Sequence, residues 1–237
     1  MFYGIWRTRR DLGLPLTLAY AAHRLLQRAS GGRAAVVPYG LYAQPLGGNA
    51  AALRPEPSTV VQQIDAGHPL NELLPRPAEV IARRHQQGDQ CHVAVVKGQL
   101  AGTIWIARGH YDEDEVRCRY LLTEPAISAW DYDVYVEPKY RLGRTMARLW
   151  SAVDRHLSDI GVCWSFSRIS RFNTGSVSSH ARLGAVEIGR ATFVVLGSLQ
   201  LAWWHANGQP LQWHLGGTPL VQLRPPPPRP PSATAAP

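Results

Sequence analysis

The chain has 237 residues, 45% of them hydrophobic and 18% charged, and carries a formal net charge of +8. This composition fits a globular protein rather than a disordered one and supplies enough length for one packed domain with extensions. The charge fits a basic surface or an anionic ligand, and the arginines are scattered without a zinc-finger or RNP-like motif, which sets nucleic acid aside as a partner.

Cys91, Cys118 and Cys163 are odd in number and lack metal-ligand spacing. No disulfide framework and no metal cofactor is expected, and a reducing, cytoplasmic setting fits. No apolar run is long enough to span a bilayer. At the N-terminus Arg7, Arg9 and Arg10 precede an apolar stretch in which Ala19-Tyr-Ala21 loosely resembles a cleavage site. Pro15 breaks that stretch, and Leu18, Ala22, Leu25 and Ala29 continue past it at helical spacing, so residues 1–35 are expected as an amphipathic helical extension. Packing on the domain is favoured over contact with a membrane surface.

Along the chain, 15–29 reads as a helix ended by Ser30-Gly31-Gly32, and 36–46 as a strand. Residues 47–58, rich in Gly, Ala and Pro, read as a loop. Two short helices, 70–74 and 78–87, are divided by Pro75 and Pro77. Cys91–Val96 and Leu100–Ala107 form a hairpin around Lys97-Gly98-Gln99. The acidic run Asp112–Glu115 reads as a solvated hairpin end, followed by strands at 116–122 and 131–136. Over 143–160, Met146, Leu149, Trp150, Val153, Leu157 and Ile160 make one apolar stripe at helical spacing. A strand at 162–170, a helix at 174–183 and strands at 186–196 and 198–205 follow. Trp105, Trp130, Trp164, Trp203 and Trp204 read as sheet packing. The pattern is α/β, with a sheet carrying helices on its faces. From residue 223 onward the Pro-rich tail cannot bury a core.

Two segments carry chemistry. A strand ending at Pro138 runs through Lys139-Tyr-Arg141-Leu142-Gly143-Arg144-Thr145 into a helix. Free N–H groups and the positive end of a helix form a natural receptor for phosphate, with Arg141 and Arg144 adding charge. The second segment is Asn173-Thr-Gly-Ser-Val-Ser-Ser-His180-Ala-Arg-Leu-Gly184. Together they resemble the GNAT superfamily of acyl-CoA-dependent N-acyltransferases, over about 93–196. The resemblance implies a GNAT-like, mixed and mostly antiparallel sheet with helices on both faces, spanning 36–222. It implies acetyl-CoA as acyl donor and transfer of an acetyl group to a primary amine of a small molecule or peptide by direct attack. A longer acyl chain on coenzyme A or on a carrier protein, and a non-catalytic acyl-CoA-binding module, are the alternatives. A homodimer is compatible with it.

On the same resemblance, Val134, Tyr135 and Val136 would pair with the pantetheine arm. Arg141, Leu142, Gly143, Arg144 and Thr145 would hold the pyrophosphate, and Asn173 would lie near the thiol. Residue 180 occupies the position of the family's proton donor to the leaving thiolate, with His where the family often has Tyr; imidazole can move protons near neutral pH. An attacking amine also needs a proton acceptor. Asp131 and Asp133 lie two apart, which in a regular strand puts them on one face, with Tyr135 continuing it. Asp133 is the first choice of base and Asp131 the second.

Overall fold

The structure, a computed structural model, describes residues 2–47 and 56–227, and for residues 2–12 the backbone alone. The predicted loop therefore falls largely outside the described residues, as does the tail from 228 on. Residues 224–227 form no helix or strand.

Among the described residues, nine strands make the main sheet, in the order β11-β10-β9-β1-β8-β7-β4-β3-β2. In chain order these are β1 (Ala34–Pro45), β2 (Thr59–Ile64), β3 (Gln90–Val96), β4 (Gln99–Ala107), β7 (Ser128–Val136), β8 (Trp164–Ser170), β9 (Val186–Leu196), β10 (Leu199–Ala206) and β11 (Gln212–Leu215). Every neighbouring pair is antiparallel except β7 and β8, which run parallel. A second sheet of three short strands, β12-β6-β5, is built from β5 (His110–Asp112), β6 (Arg119–Leu122) and β12 (Leu220–Leu223).

Among the described residues, four α-helices complete the fold: α1 (Phe2–Ala29), α2 (Ala78–Gln86), α3 (Thr145–Asp159) and α4 (Thr174–Arg182). The stripe on α3 does what its spacing requires. Leu149, Trp150, Val153 and Leu157 are buried against Ala101, Ile104, Ile106 and Ala129 of the sheet. Full burial of such side chains contributes roughly 1.5–3 kcal/mol each. Ile160, the last of the stripe, caps the helix and is half exposed. On the other sheet face, Tyr39, Leu41, Phe166 and Phe193 share a core with Tyr111, Tyr120, Val221 and Leu223 of the small sheet. There Tyr111, Tyr120 and Trp130 stack with interplanar angles of 12–17°.

The N-terminal extension is part of this body. α1 kinks at Gly13 (φ 73°), before Pro15, and then runs along β1. His23 donates from Nδ1 to the carbonyl of Val36 at 2.8 Å. Tyr20 and His23 pack on Phe172, with ring centroids at 5.2 and 5.6 Å.

Three sequence expectations change. The polar strand β2 and the short β5, β11 and β12 are not predicted. The acidic run 112–115 is a solvated end only in part: Asp112, Asp114 and Glu115 are exposed, while the Glu113 carboxylate is fully buried against Arg168. The single-face stripe of Asp131, Asp133 and Tyr135 is interrupted by a β-bulge. Tyr132 lies opposite Trp105 and Tyr135 opposite Thr103, so Asp133 and Val134 share one place in the ladder. Asp133 takes the left-handed φ of 48° there.

Candidate functional site

β7 is hydrogen-bonded to β4 along one edge from Trp130 to Val136. Along its other edge the ladder with β8 covers only Ser128–Trp130. Beyond Trp130 the two parallel strands part, and residues 134–136 turn an unpaired edge toward the gap. Backbone N–H and C=O groups without a strand partner need another one. A cavity of about 910 Å³ lies beside this wedge, lined by residues 131–134 of β7 and 167–170 of β8. Phe172, Asn173, Ser176 and His180 close one side of it, α2 another, and His23 and Gln27 bring α1 to its wall.

Past Val136 the chain makes one 3-10 turn at Pro138–Tyr140, then turns through 141–144 into α3. The first N–H groups of α3 have no intrahelical partner, and Arg144, at the N-cap, offers no side-chain cap. Leu142 is fully exposed. A Cβ at Gly143 would sit 3.4 Å from the Tyr140 carbonyl, so the turn is closely wound there. Arg141 is turned back: its Nε donates to the Val136 carbonyl at 2.9 Å, and its guanidinium lies over the Tyr135 ring. Thr145 is buried. Free amides, a helix N-terminus and Arg144 form a donor set suited to a pyrophosphate.

His180 and Asp131 come together. His180, on α4, is buried and presents Nε2 to Asp131 Oδ2 at 3.9 Å. Its Nδ1 lies 3.0 Å from the Ser176 carbonyl, which can only accept, so Nδ1 carries the proton and the neutral ring has its lone pair on Nε2. Ser165, on β8, donates to Asp131 Oδ1 at 2.5 Å. Burial works against charge on His180, yet the Asp131 carboxylate and the Ser176 carbonyl prevail and hold its pKa above the usual 6.5. Asn173 uses its side-chain oxygen to cap α4, accepting from Ser176 N at 3.1 Å.

Asp133 is held elsewhere. It accepts hydrogen bonds from Arg76 and, at 2.5 Å, from Arg84. Arg84 is buried, lies over the rings of Tyr132 and Trp105, and also binds Asp114 at 2.8 Å. Burial opposes the charge on Asp133, but the two guanidiniums outweigh it and hold the carboxyl below its ordinary range. A carboxylate so engaged is a poor proton acceptor. Glu113 binds Arg168 through two hydrogen bonds of 2.6 and 2.7 Å, and Glu115 accepts from the Tyr39 hydroxyl. Sequence reasoning passes over Arg76, Arg84, Arg168 and Ser165. The readable signal was a run of polar residues, Ser165, Ser167 and Arg168, inside an otherwise apolar central strand.

No family model and no curated protein matches the chain. Solved structures do match in fold. A functionally unknown conserved protein from Staphylococcus epidermidis superposes with a TM-score of 0.50 at 13% identity, over 73% of this chain and 67% of that one. A GNAT-family protein from Novosphingobium aromaticivorans gives 0.47 at 17%, over 68% of this chain and 63% of that one. A tandem GNAT protein from the clavulanic acid biosynthesis pathway gives 0.45 at 16%, over 78% and 58%. The chain thus spans about two thirds or less of the length of these structures. The likeness is one of architecture, and the architecture is the expected mixed, mostly antiparallel sheet, which opens between two parallel strands above a basic helix N-terminus.

Proposed function

We propose that this chain is an N-acyltransferase that moves an acetyl group from acetyl-CoA to a primary amine by direct attack. The observation that carries this reading is the wedge: the edge of β7 at 134–136 stands open, and the Asp131–His180 pair lies in the cavity beside it. Bound there, acetyl-CoA would supply the thioester carbonyl and the thiolate leaving group.

The chain's own residues then divide the work. The edge at Val134–Val136, where Arg141 already takes the Val136 carbonyl, offers its remaining backbone groups to amides in extended pairing. Arg144 and the first amides of α3 hold pyrophosphate, while Arg141 braces the loop from behind. His180, with Nδ1 fixed on Ser176, takes a proton from the incoming amine at Nε2 and can return it from the same atom to the departing sulfur. Asp131, oriented by Ser165, stabilises the imidazolium formed in between. Asp133 is a positioning residue that ties β7 to α2. A covalent relay through a thiol finds no support: burial pushes Cys91 and Cys118 up to about 11 and 12, and no cysteine lines the cavity.

The test is release of free thiol from acetyl-CoA across a panel of primary amines, with calorimetric titration of acetyl-CoA alongside. Amine-dependent release that His180→Ala lowers about 10²–10³-fold supports the reading. Binding without release for every amine replaces it with a non-catalytic acyl-CoA-binding module.

A further inference from the structure

β10 reads Leu199-Gln-Leu-Ala-Trp-Trp-His-Ala206, predominantly apolar on both of its alternating faces. Ala202, Trp204 and Ala206 point into the core and are buried. Leu199, Leu201 and Trp203 point the other way. Residues opposite each other in an antiparallel ladder share a face. Here Leu199 lies opposite Leu196 of β9, Leu201 opposite Leu215 of β11, and Trp203 opposite Trp213. A strand apolar on both sides belongs to a sheet covered on both sides. Helix α1 runs along β1, and α3 along β2, β3, β4 and β7. The outer face of β9, β10 and β11 is open instead: Trp213 is 73% exposed and Leu199 61%.

Size, charge and position indicate what covers this face. The six outer side chains leave apolar area on the order of 600 Å² open, the upper end of what a monomer's largest patch reaches. Half of a standard dimer interface is about 800 Å², roughly 65% of it apolar, so this patch supplies the apolar part alone. Among the described residues no charged side chain interrupts it. At its border Arg190, opposite His205, is ion-paired with Glu187. Two copies of a chain of net charge +8 therefore meet here without opposing like charges, and an anionic membrane finds no unpaired cation in the patch. β11 is also the last strand of the sheet, and Gln212–Leu215 carries none of the charges or prolines that commonly guard an open edge.

We propose that the outer face of β9, β10 and β11 binds a second copy of this chain, the two patches meeting face to face about a two-fold axis. Such an interface is isologous, so the same side chains serve both copies. It is independent of the acyltransferase reading.

Sedimentation velocity of the full chain from about 1 µM upward tests this, since interfaces of this size bind in the micromolar range or tighter. A species of twice the 26.2 kDa chain mass is expected. Trp213→Glu and Leu199→Glu each alter an exposed side chain, so both should keep the circular dichroism of the wild type while raising the dimer dissociation constant about tenfold or more. Leu73→Glu, at a leucine 59% exposed outside the patch, should leave the dimer intact. A monomer at every concentration, a dimer that the two patch variants leave unchanged, or a mass that climbs past the dimer without limit overturns the proposal. So does a monomer that sediments with phosphatidylserine-containing vesicles and loses that binding in Trp213→Glu, which would assign the face to a membrane.

Discussion

At the scale of single residues, the site turns on what two aspartates two positions apart are bonded to. Asp131 meets a histidine whose proton is fixed on the far nitrogen, and Asp133 is consumed by guanidiniums. The proton acceptor form of His180 is the neutral one, and its pKa lies above 6.5. The account therefore expects kcat/KM to rise with pH through a midpoint above 6.5. Asp131→Asn removes the carboxylate that holds that pKa up, leaves burial to push it down, and should move the midpoint to lower pH; a pH–rate profile of both proteins reads this directly. Asp133→Asn should leave the midpoint in place and cost stability instead. It strips a buried Arg84 of one of its two carboxylates, a loss on the order of 3 kcal/mol by urea unfolding. The Asp133 carboxyl titrates below its usual 3.8 in the folded chain, so its contribution is full above pH 3.8 and fades as pH falls below it. The stability gap between wild type and Asp133→Asn should close over that same acidic range. The sequence shows both aspartates but not the difference between them. Period-two alternation assumes a regular strand, and nothing in Asp131–Val136 announces the bulge that sends Asp133 to Arg84, beside the Tyr132 ring.

At the scale of elements, the decisive feature is a pairing that stops. β7 and β8 run parallel for three ladder positions and then part, while β4 keeps β7 in register on the other side. Gly102 matters here because a Cβ on it would come within 2.8 Å of the Tyr135 carbonyl. Gly102→Ala should displace the free edge at 134–136 and raise the KM for acetyl-CoA several-fold, with a smaller effect on kcat. Arg144→Glu should raise the same KM by placing a negative charge at the N-terminus of α3, where it would face pyrophosphate. Steady-state kinetics with acetyl-CoA varied would check both. These elements are largely legible beforehand. The α3 stripe, the 90–107 hairpin and the Asn173–Gly184 helix all follow from local spacing and caps. The polar β2 strand does not, because its pairing with β3 is supplied by a distant partner, from Ile64–Cys91 to Thr59–Val96, rather than by its own composition. Parting strands are also invisible locally, since they are a property of two segments at once.

At the scale of the whole molecule, the parts the sequence assigns to the periphery close the site. The N-terminal helix reads as an extension, yet His23 and Gln27 line the cavity, and Tyr20 and His23 hold Phe172 in its wall. The acidic run 112–115 reads as a solvated tip, and three of its residues are exposed, but it also fastens the small sheet to β1, α2 and β8 through Tyr39, Arg84 and Arg168. Charge runs look alike whether they meet water or an arginine from a distant strand, so only the fold decides between them. The central claim is that amine acetylation takes place in this wedge, with His180 moving the proton. The most direct measurement is thiol release from acetyl-CoA across a panel of primary amines, compared between wild type and His180→Ala at one pH above 7. The account expects amine-dependent release in the wild type and a fall of about 10²–10³-fold in the variant; release that proceeds undiminished in His180→Ala would contradict it.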